Sequence, residues 1–198
     1  MAKFKFMRGV SAEKNRTFPY FGEMAALFSV ATLSGLYLAL SSPEGSVAVV
    51  QAVLSEFAYL NELRPWELAV FIFLNNSLKA LAVMLLGVGF ALVPLVFLFL
   101  NGQFLGLVVG VIGSVHGYAL VFSALALHGV LEIPALLVAA GWGVFLGKSL
   151  YLKIRYGQHL GPHFRQALKT FWKVVLPVLA AAAVVEVYIS PLLLRWGN

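Results

Sequence analysis

Asn75 and Lys79 stand four residues apart in the run PWELAVFIFLNNSLKALAVMLL, and His128 and Glu132 stand four apart in HGVLEIPALL. On a helix each such pair shares a face, so two helices can present an amide, a cation, an imidazole and a carboxylate to each other. Read as structure, the set is a hydrogen-bonded knot between helices, because a polar group in hydrocarbon requires a partner whatever its purpose. Read as function, it is a small polar cavity or an ion site. His116 in GSVHGYAL and Glu186 in AAAVVEVYISP are placed deeper in apolar sequence. A carboxylate there must face protein, water or a cation. A meeting of Glu186 with His116 would make a proton or cation route; the plainer reading is a satisfied interhelical contact or a subunit interface.

None of these spacings carries catalysis. His128 and Glu132 supply two ligands where a zinc site takes three or four, and they do not make the paired-histidine zincin pattern. His159 and His163 share helical spacing but have no acidic neighbour. There is no nucleophile elbow and no phosphate loop, and with no cysteine, thiolate chemistry and disulfides are excluded. No enzyme activity, catalytic residue, metal or cofactor is expected.

The elements that must position these groups follow from composition. The 198 residues are 61% hydrophobic and 11% charged, against about 25% charge in soluble domains, so the chain is a membrane protein. At about 20 residues per crossing, the length holds five or six spans and no large extramembrane domain. The expected fold is an all-α polytopic transmembrane bundle of five spans plus one amphipathic or partly embedded helix. Residues 1–20 form a basic cytoplasmic arm. The first span runs from about Phe21 to Leu40, ended by the Ser41-Ser42-Pro43-Glu44-Gly45 turn signal. Residues 46–64 carry Val50, Val53, Leu54, Phe57 and Leu60 at helical spacing among polar residues, which predicts an amphipathic helix that does not cross. A long second helix is predicted from Trp66 to Phe90, kinked at Pro94 and continuing to Leu100, with Asn101-Gly102 as a turn. Spans from there to Leu127, from His128 to Leu152 and from Phe171 to Leu194 complete the set, with residues 153–170 a basic cytoplasmic loop.

Charge placement orients the bundle. Lys3, Lys5, Arg8, Lys14, Arg16, Lys148, Lys153, Arg155, Arg165, Lys169 and Lys173 fall on one side, whereas Glu44, Glu56, Glu62 and Glu67 gather on the other with Arg64. By the positive-inside rule the amino terminus is cytoplasmic and the carboxyl terminus outside the plasma membrane. The net charge of +6 is then an orientation signal that meets an anionic leaflet, and no nucleic-acid partner is expected. Gly102, Gly106 and Gly110 recur every four residues, as do Gly143 and Gly147, the spacing of close helix contacts in lipid. They suggest self-association, as a dimer, through glycine-lined faces.

Asn75-Asn76 followed by Gly87 and Gly89, then Asn101-Gly102 with Gly106, then His128-Gly129 with Glu132-Ile133-Pro134-Ala135 and Gly141, resembles the pattern of the stage II sporulation protein M family. The motifs cover roughly residues 70–150, and the histidine-glycine to proline-alanine segment is their most specific part. The resemblance implies a polytopic helical membrane protein and, in endospore formers, work beside peptidoglycan-remodelling partners during engulfment. It implies no catalytic role for Asn75, Asn76, Asn101, Gly102, His128, Gly129, Glu132 or Pro134. Two functions remain in play: a noncatalytic membrane scaffold that organises membrane or envelope partners, and a small ion- or solute-translocating transporter or channel.

Overall fold

The structure, a computed structural model, describes residues 17–89 and 91–190, excepting the side chains of residues 122 and 124–128. Most of the amino-terminal arm and the last residues expected in the fifth span lie outside this range. Five helical runs are long and apolar enough to cross a bilayer: Phe21–Ser41, Pro65–Leu86, Leu92–His116, Gly129–Tyr156 and Gly161–Ile189, with mean hydropathy between 1.7 and 2.2. The fold is an all-α membrane bundle.

Helix α1, Phe21–Ser41, ends where Ser42 leaves the helical region, and α2, Pro43–Ser55, starts with proline at its head. Thirteen residues make about 20 Å of helix, too short for a core of about 30 Å. Only Ser46 and Val50 of α2 are buried, and the Ser46 hydroxyl donates to the Leu38 carbonyl at 3.2 Å. A short 3-10 helix, Ala58–Glu62, continues it. Helix α3, Pro65–Leu86, opens on a capping arrangement in which the Glu67 carboxylate accepts from the Arg64 backbone N–H at 2.8 Å and from its guanidinium at 2.7 Å.

The next turn differs from the sequence expectation. The chain reverses between α3 and α4, about Gly87, Gly89 and Ala91, and Asn101 and Gly102 lie inside α4, Leu92–His116. Pro94 sits in the first turn of α4, where its missing N–H costs no intrahelical bond. Asn101 does not break the helix because its amide donates to the Phe97 carbonyl one turn back at 2.7 Å, and Gly102 is needed as a contact: a Cβ there would lie 2.7 Å from the Phe28 carbonyl oxygen of α1. The reversal itself holds Ala91 at φ 66, ψ 2, its N–H donating to the Gly87 carbonyl at 2.9 Å. A left-handed alanine is strained by about 1–2 kcal/mol. Ala91→Gly should therefore gain up to about 1 kcal/mol, the relief being partly offset by the greater chain entropy of glycine; an unchanged or lowered unfolding midpoint in mixed micelles would contradict this.

Gly117, at φ 89, makes the following turn, and α5 then runs unbroken through Tyr118–Tyr156. His128, expected at the start of a span, lies within this helix. Segment 153–170, expected as a loop, is also mostly helical. After Tyr156 only four residues intervene before α6, Gly161–Thr170, which is strongly amphipathic, with Ala167 and Thr170 buried and Arg165 and Lys169 exposed. A π-helical turn, Phe171–Val175, then α7, Leu176–Val184, and a second π turn, Val185–Ile189, extend that helix as one run.

Glycine fixes how the helices meet. Helices α1 and α4 run parallel along a seam in which a Cβ at Gly35 would collide with the Gln103 carbonyl, one at Gly106 with the Thr32 carbonyl, and one at Gly110 with the Ala39 methyl. On α5, Gly141 meets the Pro19 carbonyl, Gly143 meets Val83 and Pro94, and Gly147 meets Gly87 and Ala91. These glycine faces are thus occupied within one chain, so any association of copies uses other surfaces. Around the α5 glycines the end of the bundle carrying the Lys148–Lys173 charges is densely packed, with Met84, Leu98, Leu146, Val175 and Leu179 almost fully buried. Lys148 is tied to this end by donating to the Tyr20 hydroxyl at 2.7 Å.

Candidate functional site

Polar groups collect in the other half of the bundle. Asn75 lies ten residues into α3, about 15 Å along the axis from Pro65. Asn75 and Asn76 on α3, Glu132 on α5 and Glu186 in the second π turn line one open cavity of about 170 Å3, bordered by Phe57 and Leu60 of the segment around the 3-10 helix. Single π turns inside membrane helices re-aim side chains by one position, and here the turn carries the carboxyl of the fifth span. Asn76 and Glu132 are each 9% exposed, whereas Glu186 is half-buried. Within the cavity the Asn75 amide approaches the Asn76 carbonyl oxygen at 3.4 Å, a long contact.

The arrangement redraws the constellations read from spacing. Asn75 and Glu132 do share a site, but Lys79 is exposed on α3 and does not line it. The side chain of His128 lies outside the described ones. Glu186 joins the asparagines and Glu132, while His116 is exposed at the end of α4 and lines none of the cavities bounded by Glu186. Asn101 lines a neighbouring apolar chamber that Glu132 also borders, together with Gly129. Since Asn101 already satisfies its amide on its own helix, Asn101→Leu should shift stability by no more than about 0.5 kcal/mol, read as the unfolding midpoint; a larger loss would mean that the amide holds a second helix. Gly102, Gly106, Gly110, Gly143 and Gly147 are packing positions, and Pro134 is an exposed residue inside α5.

Phe57 and Leu60 were not among the candidates, because a short amphipathic segment gives no sign of which helix it covers. Glu186 could have been grouped with Asn75 by depth: it lies eight residues before Leu194, the expected end of its span, much as Asn75 lies ten after Pro65. Among the described residues no three His, Asp or Glu side chains come together to hold a metal. The site is a hydrogen-bonding cavity with two carboxyls and two carboxamides, and the described residues that line it include no nucleophile–base pair.

A family model described as Stage II sporulation protein M matches residues 24–191. No curated protein and no solved structure matches the chain.

Proposed function

The chain belongs to the stage II sporulation protein M family, and on that premise we propose that it is a noncatalytic scaffold of the plasma membrane. Its amino terminus and basic end face the cytoplasm, and its acidic end, with the polar cavity, faces outward. It holds membrane or envelope partners in place, with homodimerisation as the expected oligomeric state. The observation that carries the reading is the closed α1–α4 seam: backbone meets backbone at Gly35 and Gly106, so these helices form one body with no room to rock against each other. Transport by alternating access moves one group of helices against another, and this pair supplies no such joint; a scaffold needs none.

One observation favours the translocation reading instead, namely the cavity of Asn75, Asn76, Glu132 and Glu186 within the apolar span region. Ionisable groups at that depth mark ion paths in many membrane proteins. The two functions separate in purified protein reconstituted into vesicles. Proton and cation flux is expected to equal that of protein-free vesicles across the pH range tested. Flux that falls on Glu132→Gln or Glu186→Gln would overturn the scaffold.

A further inference from the structure

Between Glu132 and Glu186 the chain holds six lysines and arginines and no acidic residue. Five of the six, Lys153, Arg155, Arg165, Lys169 and Lys173, are exposed, and none of these five makes an ion pair among the described residues. The fold gathers them at one end of the bundle. Gly147 of α5 packs on Gly87 and Ala91 of the α3–α4 reversal, and α5 runs on from there to Tyr156, about 13 Å past the level at which α3 ends. After the short turn, α6 is set back against α5, where the His163 ring lies 3.0 Å from the Ser149 hydroxyl.

The inner side of α6 is Ala167 and Thr170, joined by Phe171 of the π turn, all buried. Arg165, Lys169 and Lys173 recur every four residues and so form a stripe on the outer side. Apolar groups stand beside the cations. Ile154, between Lys153 and Arg155, is 69% exposed, and Trp172, next to Lys173, is 63% exposed; Tyr151 and Tyr156 are exposed on the same stretch of α5. An acidic segment of a water-soluble partner would match the charges and leave the isoleucine and the indole unmatched. The headgroup layer of a bilayer matches both, since aromatic and aliphatic side chains settle at its inner edge while Lys and Arg reach outward to the phosphates. That layer is about 5–8 Å deep on each side of the hydrocarbon, so the end of α5 passes through it.

We infer that α6 with the last turns of α5 is a binding surface for phospholipid headgroups of net negative charge, held through their phosphates by the stripe of Arg165, Lys169 and Lys173. A zwitterionic headgroup carries its own ammonium to the stripe and is partly repelled; an anionic one brings no such cation. The protein thereby collects anionic lipid around one end of its bundle. The surface does not rest on the scaffold reading: lipid retention and vesicle flux are separate measurements, and either can fail alone.

Native mass spectrometry of the full chain tests it by counting retained lipids during titration in neutral detergent with dimyristoyl phosphatidylglycerol or dimyristoyl phosphatidylcholine. The first phosphatidylglycerol should bind at least about fivefold more tightly than the first phosphatidylcholine, the scale of one cation at an anionic surface. Arg165→Gln, Lys169→Gln and Lys173→Gln together should bring the two lipids to within about twofold. Lys3→Gln, Lys5→Gln and Arg8→Gln together remove the same charge and should leave the preference at about fivefold. If the α6 variant misfolds, judged by gel filtration, the native protein decides the outcome: raising ammonium acetate from about 0.1 to about 1 M shortens the screening length from about 10 to about 3 Å and should erase the preference. Equal loss in the two triple variants, or a preference that survives the high salt, would overturn the surface. Tighter binding of hexaglutamate than of phosphatidylglycerol would overturn the lipid assignment in favour of an acidic partner protein, and displacement of the lipid by equimolar inorganic phosphate would overturn it in favour of free phosphate.

Discussion

Gly106→Ala is expected to lower the stability of the protein by about 3 kcal/mol or more, beyond the usual range for one added methyl in a core. The reason lies in what the methyl meets. A Cβ on Gly106 would overlap the Thr32 carbonyl and crowd the Leu36 nitrogen at 2.6 Å, and backbone atoms of a helix cannot rotate aside as a side-chain tip can. Relief requires α1 to move off α4 along the whole seam, loosening the contacts at Gly35, Gly102 and Gly110. In lipid that loss is not recovered by a hydrophobic term, since the exposed surfaces simply meet acyl chains; association there depends on close packing. Gly22→Ala is the control, because nothing lies within 4 Å of the added methyl, and the higher helix propensity of alanine should leave it unchanged or slightly more stable. The pair Gly35→Ala and Gly106→Ala should cost less together than the sum of the two, since the first methyl already parts the helices. An unfolding midpoint for Gly106→Ala equal to that of Gly22→Ala would refute the seam.

The same seam explains where sequence reading succeeded and where it stopped. Composition and hydropathy lead to five long apolar helices, with a short amphipathic helix after the first, because both depend only on the residues themselves and on the bilayer thickness. The turn expected at Asn101-Gly102 fails for a reason outside local sequence. Asn and Gly punctuate water-exposed chains, but in lipid Gly102 serves α1 and Asn101 bonds to its own helix. The actual reversal holds Gly87, Gly89 and a strained Ala91, and Ala91 offers no turn signal. Helix α6 was readable in principle: His163, Ala167 and Thr170 repeat at helical spacing on its less exposed face, but the density of cations between them suggested a loop. For the site, each polar residue was visible, and its depth could be counted. Which helices are neighbours was not: that Glu186 of the last span comes beside Asn75 of α3, and His116 does not, depends on the packing order of the bundle, which no residue spacing encodes.

Trp142 tests the packed half of the bundle. It is 2% exposed on α5, meets the Phe145 ring edge-on at a centroid distance of 5.5 Å, and belongs to the cluster of Ala80, Met84, Val175 and Leu179 that joins α3 and α5 to the last span. Trp142→Ala is expected to cost about 3 kcal/mol, the low end for such truncations. The low end applies because an unfolded helix in lipid already shelters the indole from water, so the penalty is the cavity and the lost dispersion contacts rather than transfer. Trp142→Phe discriminates packing from hydrogen bonding. The indole N–H makes no hydrogen bond among the described residues, so removing it forfeits no partner and relieves a buried donor, offsetting part of the lost volume; the net cost should be within about 1 kcal/mol. Unfolding midpoints in mixed micelles should therefore place Phe near the native protein and Ala far below it. If Phe instead falls as far as Ala, the indole N–H holds a buried acceptor and the hub is a polar joint.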